Sequence, residues 1–90
     1  MSGRLQLYAE AMRSCEVFLE THGPSPMVDS AIRQIGRLIE MEKQGAYDLD
    51  YLRKVNIGLI GVREVVDVDR AIGDKLFAVA GVVRRIVESA

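Results

Sequence analysis

The side chains able to do chemistry in this chain are few. A single histidine, His22, stands beside Gly23 and Pro24, and a single cysteine, Cys15, lies among apolar residues. A zinc site needs several nitrogen or sulfur ligands, and four when it is structural. A di-iron site in a helical bundle needs Glu-x-x-His pairs. Neither pattern occurs. Ser2, Ser14, Ser25, Ser30 and Ser89 share that one histidine as a base, and no Gly-x-Ser-x-Gly elbow frames any of them. Gly58-x-x-Gly61 lacks the Lys-Ser/Thr of a phosphate loop; within a helix, glycines at that spacing suit the close approach of a second helix. No catalytic residue, cofactor site or metal site is expected. Arg33, Arg37, Arg63 and Glu64 are the residue types a small helical chorismate-mutase-like enzyme would use. Arg33 and Arg37, however, fall on the polar face of their segment, where solvated charge is the simpler reading.

Four segments with a helical period have to position these residues. Over 4–21, Leu5, Tyr8, Met12, Cys15 and Leu19 follow the three-four spacing of one helix face, widened by Leu7, Ala11 and Phe18. His22-Gly23-Pro24 stops it. Ser25 followed by Pro26 reads as an N-cap and first helical residue, opening a helix over 26–43 with Val28, Ala31, Ile32, Ile35, Leu38 and Ile39 inward. Asp48 caps a third helix over 49–66, whose inward line reads Leu52, Val55, Leu59, Val62 and Val66. Asp69 caps the fourth, 70–88, with Ile72, Leu76, Val79, Val83, Ile86 and Val87 inward. The connection at 67–69 is so short that the last two helices must form an antiparallel hairpin. These elements predict an all-α, compact antiparallel four-helix bundle, and 90 residues suffice for one domain of that kind.

Composition narrows the partners. Twelve bases against thirteen acids give a net charge of −1, with no basic stripe, so nucleic acid is not an expected ligand. No segment approaches the length and apolarity of a membrane span, and the N-terminus has no apolar signal region, which leaves the cytoplasm as the expected compartment. Hydrophobic residues make up 49% of the chain, a generous supply for so small a core.

Some of that supply falls where solvent should be. On a continuous third helix the outer arc reads Arg53, Asn56, Ile60, Arg63, Asp67, so Ile60 interrupts a polar row, with Ile57 beside it. An apolar residue rimmed by charge is the usual composition of a protein contact. Packing of this face inside the bundle is the equal alternative. In the fourth segment Arg70, Phe77 and Arg84 recur every seven residues off the inward line, a pattern that suits self-association. Residues 48–69 carry five acids and three bases, while 70–90 carry four bases and two acids. Capping accounts for Asp48 and Asp69. Glu64 and Asp67 have no such duty.

The run Leu52-Arg-Lys-Val-Asn-Ile-Gly-Leu-Ile-Gly-Val-Arg-Glu64, continued by Val65, Val66, Asp67 and Asp69, resembles a segment of small all-helical bacterial immunity proteins. These neutralise type VI secretion effectors that hydrolyse NAD(P)+. Ser30-Ala31-Ile32-Arg33-Gln34-Ile35 is similar to that family's second helix and Leu76 falls in its last, so the likeness covers about 28–83. It implies a cytoplasmic inhibitor that binds a cognate toxin domain and occludes its active site, with no catalysis of its own. Glu64, Asp67 and Asp69 carry over from the matched stretch, and the helical wheel adds Arg53, Ile57 and Ile60 as partner-binding residues. A homo-oligomeric adaptor or regulator, with Phe77, Arg70 and Arg84 at a homodimer interface, is the alternative; a chorismate-mutase-like enzyme is the third.

Overall fold

A computed structural model describes residues 3–90 and contains the expected all-α four-helix bundle. Helix α1 spans Gly3–His22 and α2 spans Pro26–Gln44. The third passage comes in pieces: α3 (Leu49–Lys54), α4 (Ile57–Ile60) and a π-helical turn at Gly61–Val65. Helix α5 closes the bundle over Arg70–Glu88.

The helix starts follow the sequence signals. The Ser25 hydroxyl accepts from the Val28 amide at 3.2 Å, with Pro26 opening α2. The Asp48 carboxylate accepts from Tyr51 N–H and that of Asp69 from Ile72 N–H, both at 3.1 Å. Each cap satisfies an amide that the helix itself leaves without a partner. Gly45, at φ 68°, ends α2 in the left-handed conformation that a residue with a Cβ adopts only under strain.

Tyr8, Ala11, Cys15 and Phe18 of α1 meet Val28, Ala31, Ile35, Leu38 and Met41 of α2. Leu52, Ile57, Ile60 and Val65 from the third passage and Ile72, Leu76, Val79, Val82 and Val83 from α5 complete one continuous core. Glycine sets how closely the last two layers approach. A Cβ on Gly58 would lie 3.1 Å from Ala80 Cβ, and one on Gly61 would lie 2.8 Å from the Phe77 ring. A Cβ on Gly73 would meet Val66 Cα and Cβ at 2.9 Å. These three contacts pair rising numbers in the third passage with falling numbers in α5, so the hairpin is antiparallel.

Gly73→Ala is therefore expected to destabilise the fold, because the backbone of Val66 must move. Overpacking of this kind costs about 1–3 kcal/mol, more than the roughly 1 kcal/mol of helix propensity that alanine returns. Gly36→Ala is the control: its Cβ would touch only the flexible end of Met12 at 3.6 Å, so it should hold or raise Tm. Thermal melts of the two variants check this; equal melting temperatures would contradict the close approach at Val66.

Two core groups make the fold alkali-sensitive. Burial, reinforced by the nearby Glu42 carboxylate, pushes the Tyr8 phenol from 10.0 up to about 12. Burial also pushes the Cys15 thiol from 9.0 up to about 11, with Glu16 adding to it. Both are neutral in the fold and lose their protons more readily when unfolded, so between these values the native state holds more protons. Stability is thus full below pH 9 and falls as pH rises, by about 1.4 kcal/mol per unit at most for each group, Cys15 acting between pH 9 and about 11 and Tyr8 between pH 10 and about 12. Denaturant melts from pH 8 to 11.5 should show the fall, and Tyr8→Phe should make it shallower above pH 10. A flat profile in the unmodified chain would contradict this assignment.

Candidate functional site

The feature that sets the third passage apart from the other helices is its interruption. Helix α3 ends where Val55 turns extended (φ −63°, ψ 129°), and Asn56 restarts the chain at φ −125°, ψ 29°. The break is held from α2. The Gln34 amide donates to Asn56 Oδ1 at 2.7 Å, and Asn56 N–H donates to Gln34 Oε1 at 3.0 Å. The same Gln34 nitrogen donates to Ser30 Oγ at 3.1 Å. This two-point clasp fixes the phase at which α4 begins.

A second irregularity follows at once. Val66 N–H donates to Gly61 C=O at 2.8 Å, a bond one residue wider than the α-helical one. The chain then tightens: Asp69 N–H reaches Val65 C=O at 2.8 Å, and Asp69 caps α5. Isolated π-turns of this kind gather at functional sites, because the inserted residue turns side chains away from the packed stripe.

The combined effect is to rotate the third passage relative to a continuous helix. Ile57 and Ile60 are fully buried, at 0% and 1% exposure, and belong to the core. Their expected place on a partner-facing patch is thus corrected. Leu59 and Val62, expected inward, are 46% and 55% exposed, and Val68 is 56% exposed. A wheel drawn unbroken from Leu52 cannot anticipate the phase reset at Val55–Asn56. Past the break the inward positions are Ile57, Ile60, Gly61 and Val65. The exposed aliphatic side chains of this stretch are Leu59 and Val62, not the two isoleucines.

The charged residues divide. Arg53 is exposed and engaged locally, 3.5 Å from Asp50. Asp69 is spent on its cap. Glu64 and Asp67 are exposed and, among the described residues, their carboxylates have no hydrogen bond or ion pair. Glu64 shares the π-turn with Val62 and with Arg63, which is likewise exposed and unpaired, and Asp67 follows that turn.

On α5, Phe77 is half-buried against Gly61 and forms one wall of a groove of about 320 Å³. Gly58, Val62, Ala80, Gly81 and Arg84 complete its lining. Phe77 and Arg84 thus come together, whereas Arg70 does not line the groove and pairs with Asp74 at 3.3 Å. A larger groove of about 620 Å³ opens between the start of α1 and the end of α5, lined by Arg4, Tyr47, Leu49, Arg85 and Ile86. There Arg4 donates to the Tyr47 hydroxyl at 2.9 Å, and that hydroxyl donates to Glu42 at 2.6 Å, a bond that raises its pKa. Sequence pattern gave no sign of this cluster, whose members lie as far as 43 positions apart.

The four residues set aside for acid–base chemistry do not converge on either groove. Arg37 pairs with Glu40 at 3.4 Å and lies over the Tyr51 ring at 5.9 Å, while Arg33, Arg63 and Glu64 are exposed. His22 packs its ring on Phe18, 4.7 Å between centroids, and Cys15 is buried. Ser2 lies outside the described residues. Among the described residues no three His, Cys, Asp or Glu side chains are grouped to hold a metal ion, and no helix is long and apolar enough to cross a membrane. No protein-family model matches the chain, and neither a curated protein nor a solved structure shows significant similarity to it.

Proposed function

We propose that this chain is a cytoplasmic immunity protein, acting by binding rather than catalysis, whose third passage docks on a cognate type VI secretion toxin domain of the NAD(P)+-hydrolysing kind and covers its active site. One observation supports the reading: Leu59 and Val62 stand exposed on a clasped segment that runs into a π-turn, and the same stretch of chain carries Glu64 and Asp67, exposed and with carboxylates that have no partner among the described residues. Exposed aliphatic side chains rimmed by free charge are what a protein contact needs, the first to hold the partner and the second to steer it. A cleft that binds a phosphate-bearing dinucleotide is basic, so an acidic rim is the complementary charge. The likeness of residues 52–69 to immunity-protein segments supports the same choice.

The clasp at Gln34–Asn56 serves this function by preorganisation. A segment already fixed before encounter loses less conformational freedom on binding, and that saving appears as affinity. Reversing the rim with Glu64→Lys and Asp67→Lys should slow association with the toxin domain by about tenfold or more at low salt and flatten its salt dependence. Stopped-flow or biosensor kinetics at two ionic strengths measure both. Association rates identical to those of the unmodified chain would mean that this rim does not face the partner.

A further inference from the structure

Helix α5 turns one row of residues towards the third passage. Phe77, Gly81, Arg84 and Arg85 follow at three- and four-residue intervals, the spacing that stacks residues on one helix face. With Gly58 and Val62 opposite, the two elements enclose the groove of about 320 Å³. Its floor, Gly58, Ala80 and Gly81, offers no side chain larger than a methyl group, and its walls, Val62 and Phe77, are apolar. Its end is cationic. Arg84 lines it, and Arg85 folds back along the helix, its Nη1 3.6 Å from where a Cβ on Gly81 would stand. Both arginines are exposed and, among the described residues, neither has a hydrogen bond or ion pair, Glu88 one turn further on included. No acidic side chain among the described residues lines the groove.

We propose that this groove receives one anchor of the bound toxin domain: a segment that carries a large apolar side chain beside a carboxylate. The apolar side chain lies between Val62 and Phe77 over the small-residue floor. The carboxylate meets Arg84, whose planar guanidinium can hold both of its oxygens at once. An apolar anchor alone would cover the cationic end and leave its guanidinium groups without a partner, which is costly. An anion alone would leave the apolar walls in water, and a basic segment would be repelled. The volume sits at the low end of the roughly 300–1,000 Å³ over which protein pockets hold ligands, so one side chain fills it. Anchors seated in such pockets near the centre of a contact carry most of its binding energy.

This inference rests on the toxin reading and names the partner's chemistry at one point of that contact. Val62, exposed on the third passage, is also a wall of the groove, so the two surfaces are continuous. The partner's surface is then of mixed sign, basic where it meets Glu64 and Asp67 and carboxylate-bearing where it meets Arg84. Mixed charge of that kind fixes the orientation of docking and rejects wrong partners.

Titration calorimetry of the full chain against the toxin domain, with a thermal melt of each variant, tests this. Gly81→Leu fills the groove. Its Cβ meets only the flexible end of Arg85 and leucine is the better helix former, so Tm should hold or rise while affinity falls about 30-fold or more. Arg84→Glu, at an exposed position, should lose about as much or more with Tm held. Arg84→Lys keeps the charge without the fork and should lose about tenfold or less. A toxin variant in which one Asp or Glu becomes Lys should restore binding to Arg84→Glu and not to Gly81→Leu. Affinity within about threefold of the unmodified chain for either Gly81→Leu or Arg84→Glu would overturn the proposal. So would equal losses from Arg84→Lys and Arg84→Glu, or the failure of every such toxin variant to restore binding. If Val62→Asp still releases the toxin domain in those cases, the toxin reading stands without this groove. An unmodified chain that binds no toxin domain refutes both.

Discussion

Replacing Ile60 with aspartate is expected to abolish the cooperative thermal transition or to lower Tm by about 20 °C or more. Ile60 is 1% exposed and sits in the continuous core with Ile57 and Leu76. Removing a buried isoleucine side chain costs about 2–5 kcal/mol. An aspartate there must also be buried as an unpaired charge or take up a proton at neutral pH, and either adds several kcal/mol more. Small domains hold only about 5–15 kcal/mol in total, and each kcal/mol moves Tm by roughly 4–8 °C at this size. Circular dichroism melts decide the matter. A melting temperature within a few degrees of the unmodified protein would put Ile60 at the surface and undo the phase assigned to the third passage.

The same substitution two positions later should do the opposite. Val62→Asp is expected to leave the melt within about 4 °C, since surface changes stay within roughly 0.5 kcal/mol, Val62 being 55% exposed. Partner binding should nonetheless weaken by at least about 2 kcal/mol, roughly 30-fold, as for an anchor at the centre of a contact. Titration calorimetry with the toxin domain gives the affinity and the melt gives the control. Unchanged affinity would remove Val62 from the contact, and a large loss of stability would mean that its side chain is not free.

The contrast between neighbours two residues apart also marks the limit of what the sequence discloses. Caps are local: Ser25, Asp48 and Asp69 each bond an amide three residues on, so residue type and position were enough to find them. The inward stripes of α1, α2 and α5 follow from period alone, because those helices run unbroken for 19 or 20 residues. The glycines of Gly58-x-x-Gly61 likewise fulfil the close helix packing that their spacing suggests.

The third passage escapes this reasoning because its phase is set from outside. Gln34 and Asn56 are 22 positions apart, and no local pattern tells that an amide on one helix will hold a break in another. The π-turn at Gly61–Val65 adds a second shift. The surplus of apolar residues was legible in the sequence, and so was the lack of a capping duty at Glu64 and Asp67. Which apolar side chains stand exposed depended on a tertiary contact. Phe77 and Arg84, seven residues apart, line one groove, whereas Arg70, at the same interval from Phe77, pairs with Asp74.

We propose that this bundle protects by binding a toxin through the turned face of its third passage. The most direct test is to co-express the chain with an NAD(P)+-hydrolysing effector domain taken from its own gene neighbourhood, following growth and recovering any complex. The account predicts that the unmodified chain restores growth and copurifies in a one-to-one complex, and that Val62→Asp, although folded, does neither. Cells that fail to grow, with the folded chain present and no complex formed, would contradict it.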